Sequence, residues 1–225
     1  MTEKNTSNKK FLRGVQGGGF FKKSPPGRRR QLDHRIICSL VEPGSKVLDL
    51  GCGSGDLLAL LRKEKKVKGQ GIDLNASAIF QCVEKGLSVF HMDFDSGLSS
   101  FPDQSFDYVI LNRSLQETIH VEFVLQEALR VGEKVIVGFP NFAHMSARLQ
   151  LFFKGKTPVN NALPHLWYNT PNLHFLTISD FEIFTTERNI KVLNRYYFSR
   201  NSLVRFRPNL FAMSAIFVIT RSRLS

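Results

Sequence analysis

The stretch Lys46-Val-Leu-Asp-Leu-Gly-Cys-Gly-Ser-Gly-Asp56 decides how this chain is read. Lys46 to Leu50 is a short, mostly apolar run of strand character. Glycines at 51, 53 and 55 turn the chain, and helical spacing takes over from Asp56 to Lys65. A strand, a glycine turn and a helix in immediate succession make the opening unit of a parallel sheet. Glycines there also let the backbone take positive φ and let a ligand lie against bare main chain, where amide groups at a helix start can meet it.

The same alternation extends downstream. Strands are expected at Gly69 to Leu74, Leu87 to Met92, Asp107 to Leu111 and Lys134 to Phe139, with helices at Ala76 to Lys85 and Glu117 to Val131. Upstream, Leu32, Ile36, Ile37, Leu40 and Val41 recur on one helical face until Pro43-Gly44 stops them. Near the end, Ser179 with Glu182 has the spacing of a capping box and opens a helix near Asp180 to Arg188. Ile190 to Phe198 and Leu210 to Thr220 follow as two strands in succession, expected to pair antiparallel at the sheet edge. The expected fold is α/β and doubly wound: a mostly parallel seven-stranded sheet with an antiparallel C-terminal edge.

The 225 residues suffice for one full-sized domain with an appendage. No apolar run reaches the ~18 to 20 residues of a membrane span, and residues 1–10 are polar and unlike a secretory leader, so a cytoplasmic protein is expected. Cys38, Cys52 and Cys82 are three and widely spaced, which suggests reduced thiols rather than a disulfide framework or a zinc site. His34, His91 and His120 likewise lack metal-ligand spacing, so no metal is expected.

The net charge of +12 is concentrated at the ends. Residues 1–35 carry ten Lys and Arg against Glu3 and Asp33, residues 188–225 carry eight and no acid, and the middle is mildly acidic. Residues 1–30, with Gly17-Gly18-Gly19, Pro25-Pro26 and Arg28-Arg29-Arg30, are expected to form a flexible basic arm ahead of a single domain over 31–225. An acidic middle without an interleaved stripe of aromatic and basic residues disfavours nucleic acid as the partner.

The turn narrows the ligand. Its spacing is G-x-G-x-G, with Asp56 where a dinucleotide fingerprint has its last glycine, and no G-K-[ST] follows as a Walker loop requires. A ligand with a cationic centre and a ribose suits a site flanked by Asp49, Asp56, Asp73 and Asp93, because carboxylates accept hydrogen bonds from an ammonium or a vicinal diol.

Val47 to Gly55, the acid of Gly71-Ile-Asp-Leu74 and the pair Asp93-Phe94 resemble the class I S-adenosylmethionine-dependent methyltransferases. That resemblance implies S-adenosylmethionine or S-adenosylhomocysteine as cofactor. It places Gly51 and Gly53 against the methionine moiety and Asp49 at its ammonium, with Cys52 and Gly55 in the same cofactor-binding turn. Asp73, followed by Leu74, takes the ribose hydroxyls, Asp93 and Phe94 border the adenine, and Asn112 completes the cofactor set.

A denser resemblance covers residues ~31 to 200. Phe106-Asp-Tyr-Val-Ile-Leu111, Ser114-Leu-Gln116, Ala128-Leu-Arg-Val-Gly132, Phe139-Pro-Asn-Phe142, Arg148-Leu-Gln-Leu151, Ala162-Leu-Pro-His165, Trp167-Tyr168 and Asn169-Thr-Pro-Asn172 with His174 are similar to the methionine biosynthesis protein MetW family. The resemblance implies a protein that acts with the homoserine O-acyltransferase MetX. Asn112-Arg113 departs from the family's usual polar pair, and the basic arm lies outside the match.

An autonomous methyltransferase acting on a small molecule is the alternative, with an RNA-directed enzyme behind it. Amino-base methyltransferases resemble one another in a [DNS]-P-P-[YFW] run after the fourth strand, and Leu111-Asn-Arg-Ser-Leu115 lacks it. No catalytic residue stands out, which in-line methyl transfer tolerates because placement does most of the work. Residues Phe139 to Phe175 make a connection too long for an ordinary loop and too apolar for disorder, so a packed lid is expected. It is open to reading as an acceptor pocket, with His144, His165, His174 or Tyr168 as base. It is equally open to reading as a docking surface anchored by Phe142, Arg148, Trp167 and Tyr168, beside Asn141. Homo-oligomerisation is left open.

Overall fold

The computed structural model describes residues 27–160, 162–199 and 202–222. Most of the expected basic arm lies outside these residues; the first helix, α1 (Gly27–Leu40), starts within its last four positions. The elements then run β1 (Lys46–Leu50), α2 (Asp56–Lys65), β2 (Lys68–Asp73), α3 (Ala76–Glu84), β3 (Ser88–His91) and β4 (Phe106–Asn112). They continue with α4 (Val121–Val131), β5 (Gly132–Pro140), α5 (Met145–Lys154), α6 (Ile178–Glu187), β6 (Ile190–Ser199), β7 (Ser202–Leu203), α7 (Pro208–Phe211) and β8 (Ser214–Arg221).

The sheet order is β3-β2-β1-β4-β5-β8-β6-β7. The first five strands are parallel, and β8, β6 and β7 join antiparallel. The fold is therefore the expected doubly wound α/β architecture, with eight strands among the described residues rather than seven. The extra one, β7, pairs only Leu203 and Ser202 with Phe198 and Ser199. Two residues carry too little alternation to register as a strand.

Alternation along the strands divides the interior into two layers. Leu48, Leu50, Val109, Leu111, Val135 and Val137 pack on the side covered by α4 and α6. Val47, Tyr108, Ile110 and Ile136 meet Ile37 of α1, Val41 just past its end, and Leu57, Leu58 and Leu61 of α2 on the other. The chain steps outward from β1 through β2 to β3 and then returns to β4 on the other side of β1, so the carboxyl ends of β1 and β4 open a crevice of the kind where doubly wound sheets hold ligands.

Three expected elements differ. The helix expected from Glu117 is a 3₁₀ turn at Leu115–Glu117 followed by α4 from Val121, because the Asp95 carboxylate accepts from the Ile119 and His120 amides and holds the chain in a bend. The α6 cap is Thr177, whose hydroxyl oxygen accepts from the Asp180 amide, and not Ser179. Glu182 instead accepts the Tyr197 hydroxyl. The strand expected from Leu210 begins at Ser214, since Pro208 at the first helical position favours the short turn α7.

The Ala128-Leu-Arg-Val-Gly132 run owes its character to Arg130. Its guanidinium donates to Glu127 (2.7 and 2.8 Å), Asp103 (2.7 Å) and the carbonyls of Leu98 and Phe101 (3.0 Å each), so α4 holds residues 98–104 in place. Arg130→Ala strands two carbonyls and the half-buried Glu127 carboxylate. We expect a loss of about 3 kcal/mol in urea unfolding; a loss below about 1 kcal/mol would mean the loop is held by other contacts.

Candidate functional site

The glycine turn sits at the carboxyl end of β1. The amides of Gly51 and Cys52 both donate to the Ile72 carbonyl (2.8 and 3.0 Å), and Gly55 closes the turn on Cys52 (3.0 Å). Gly51 has φ +76°, and a Cβ there would lie 2.7 Å from the Cβ of Ser114, so any larger residue is both strained and obstructed. Phe94 borders the same position at 3.8 Å.

The register Asp49↔Gly71 and Leu50↔Ile72 sets Asp73 just past the end of β1 and beside the turn. One carboxylate oxygen of Asp73 accepts from the Gly53 amide (2.7 Å) and the other from the Asn75 amide (2.8 Å). Asp73 thus clamps the turn while its remaining lone pairs are available to a ligand.

Asp49 differs. It is only 3% exposed, and its carboxylate has no hydrogen-bond partner among the described residues. Burial first, and the charge of Asp73 second, push its pKa up to about 7. A buried carboxylate without a counter-charge is costly, and it is relieved by a cation arriving at the turn.

Asp56 and Asp93 both have partners within the chain. Asp56 is exposed and held by Lys85 (2.5 Å), which also donates to the Ser54 carbonyl. Asp93 caps the turn Phe94–Ser96 by accepting from the Asp95 amide. Leu74 is exposed just beyond β2, on the same rim. Cys52 is buried with its thiol pKa raised, chiefly by burial and then by Asp49, which disfavours the thiolate.

The far wall is the end of β4. Asn112 lies on the Asp49 face, and its buried Oδ1 lacks a partner, as do Ser114 Oγ and Gln116 Oε1. Arg113, at φ +66°, donates from Nε to Asp33 of α1 (2.8 Å), whose second oxygen is also unpartnered. This Asp33–Arg113 pair ties α1 across the end of the sheet. An acid on the otherwise apolar face of α1, four residues before Ile37, was the sequence signal for it.

The lid contains a helix, α5, where only a loop was expected. Asn141 is fully buried: its amide nitrogen donates to the Asn209 and Ala212 carbonyls and its oxygen accepts from Ala143. His144 caps α5 through its ring nitrogen, and His174 is hydrogen-bonded to the Thr118 carbonyl (3.0 Å). The Leu173 and His174 amides both donate to the Gln116 carbonyl, fastening the end of the lid to the β4 wall. Phe142 packs on Phe175, and Arg148 donates to the Ala143 carbonyl. His165, Trp167 and Tyr168 are exposed. The structure therefore brings Asp49, Gly51, Gly53, Asp73, Phe94 and Asn112 to one crevice and leaves Trp167 and Tyr168 on the surface.

A bifunctional methionine biosynthesis protein MetXA/MetW of Rhodopirellula baltica is 33% identical over 203 residues, which cover 84% of this chain and 33% of that protein. A ubiquinone/menaquinone biosynthesis C-methyltransferase of Methylococcus capsulatus is 34% identical over 43% of this chain and 44% of its own length. The chain thus spans well under two thirds of these relatives. Among solved structures, magnesium protoporphyrin IX methyltransferase of Synechocystis PCC 6803, with bound SAH, superposes with a TM-score of 0.64 over 97% of this chain and 96% of that one, at 15% identity. That likeness shows an S-adenosylmethionine-dependent methyltransferase fold. With the family model for methionine biosynthesis protein MetW matching residues 30–219, the chain belongs to the MetW family.

Proposed function

We propose that this protein binds S-adenosylmethionine in the crevice between β1, β2 and β4 and serves as a partner subunit of a homoserine O-acyltransferase. The observation that carries the cofactor reading is Asp49, a buried carboxylate with no counter-charge beside a bare glycine turn. In this reading Asp49 meets the ligand's ammonium, Gly51 and Gly53 leave room for the methionine moiety, and Asp73 accepts both ribose hydroxyls. Asp93, Phe94 and Leu74 border the adenine, and Asn112 and Ser114 offer acceptors along the β4 wall. The bound cofactor supplies an electrophilic sulfonium methyl group. Asp49 and Asp73 would fix its orientation, while α1, held by Asp33–Arg113, covers one side.

The partner reading is supported by the relative in which MetXA and MetW form one protein. S-adenosylmethionine is made from methionine, so its occupancy of this subunit would report supply to an enzyme early in the pathway. A ligand acts this way only if it prefers one state of the complex.

The test is homoserine acylation by the cognate acyltransferase, alone and with this protein, each with and without saturating S-adenosylmethionine. We expect the protein to stimulate acylation and the cofactor to change that stimulation by about fivefold or more. Equal rates with and without cofactor remove the regulatory reading. No stimulation and no complex remove the partner reading and leave a methyltransferase acting on a small acceptor. For that alternative, His144 and His174 are already engaged in capping α5 and holding the lid, and His165 and Tyr168 are the other candidate bases named from the sequence.

A further inference from the structure

The helix α5 buries Ala147 and turns its apolar side chains outward. Leu149, Phe152 and Phe153, at helical spacing, form one solvent-facing stripe; Phe152 is 81% and Phe153 74% exposed, and their rings meet edge to face at 5.0 Å. Trp167 and Tyr168 stand similarly exposed, 5.7 Å apart. Trp167 shares a shallow depression with Thr157 and Pro158, just beyond the end of α5, and the Val159 amide donates to Gln150 of the helix (3.0 Å). Both exposed clusters therefore lie on the same hydrogen-bonded connection between β5 and α6. Four large aromatic side chains held in water by a capped helix and a hydrogen-bonded turn are the anchors expected of an interface.

We infer that this surface is where the homoserine O-acyltransferase docks, an inference that rests on the partner reading above. The charge pattern selects the occupant. From Asn141 to Ser179 the chain has no Asp or Glu, and Arg148, Lys154 and Lys156 lie on or beside α5. A second copy meeting this face across a two-fold axis would oppose base to base. The fitting occupant is a different protein with an apolar patch rimmed by acids, and the bifunctional MetXA/MetW relative supports the acyltransferase as that protein.

The test measures binding of the full chain to the cognate acyltransferase by calorimetry, with S-adenosylmethionine binding and thermal unfolding as checks on folding. Phe152→Asp/Phe153→Asp should weaken the complex about 100-fold or more. Phe80→Asp, at an exposed apolar position of α3, should change it less than about threefold. If the double variant misfolds, Leu149→Lys on the same stripe should give the same loss. Unchanged binding by a folded double variant overturns the surface and leaves the partner reading standing. Absence of any complex with the wild-type chain overturns the partner reading, and the surface assignment with it. Self-association abolished by the double variant would assign the face to a second copy.

Discussion

Asp73→Ala should lower S-adenosylmethionine affinity by about 100-fold or more, because in the proposed site two ribose hydroxyls each lose a charged acceptor worth about 1.5 to 3 kcal/mol. Part of the loss passes through the turn, since the same carboxylate holds the Gly53 and Asn75 amides at 2.7 and 2.8 Å. The two contributions separate with an analogue lacking both ribose hydroxyls. In calorimetry it should bind wild type weakly and suffer little further from Asp73→Ala, so that the loss is coupled to the diol. Asp73→Asn does not rescue, because an amide offers one oxygen to two backbone donors. Wild-type affinity in Asp73→Ala would place the ribose elsewhere.

The parallel half of the sheet was legible because each strand is short, apolar and followed by a turn or helix signal, and the glycine turn marks where the crevice opens. The positions of Asp49 and Asp73 followed from being at the ends of β1 and β2. What escaped reading has physical causes. Helix α5 escapes notice although Leu149, Phe152 and Phe153 keep helical spacing: it is a single ten-residue helix inside a Pro- and Asn-rich connection, and its apolar stripe faces water instead of a core. The Asp33–Arg113 pair joins residues 80 apart and exists only once α1 crosses the end of β4. The bracing by Arg130 was invisible for the same reason, although its run was already conspicuous. Asn141, grouped with the lid from its neighbours in sequence, is a buried joint between β5 and the chain before β8.

Asp49 gives the cofactor site a dependence on pH that runs in opposite directions for binding and for stability. Its folded pKa is raised from 3.8 to about 7 by burial and by Asp73. An ammonium requires the carboxylate form, so affinity should be level above pH 7 and fall about tenfold per unit below it. Without ligand the sign reverses. A native state that keeps its proton is favoured while the unfolded chain has lost it, and that contribution disappears as pH rises from about 4 through 7. Asp49→Asn removes the charge at nearly constant shape. At pH 8 the ligand-free variant should be more stable than wild type by on the order of a few kcal/mol, about 5 to 10 °C in Tm for a chain of this size. At pH 5, where Asp49 is already neutral, the two should melt together. The same variant should bind S-adenosylmethionine at least about 100-fold more weakly at pH 8, with no pH dependence left between 5 and 8. A substitution that raises stability while it weakens ligand binding marks a buried charge retained for the ligand's sake. Should Asp49→Asn bind as tightly as wild type, or should the wild-type profile be flat through pH 7, the ammonium is not held at Asp49.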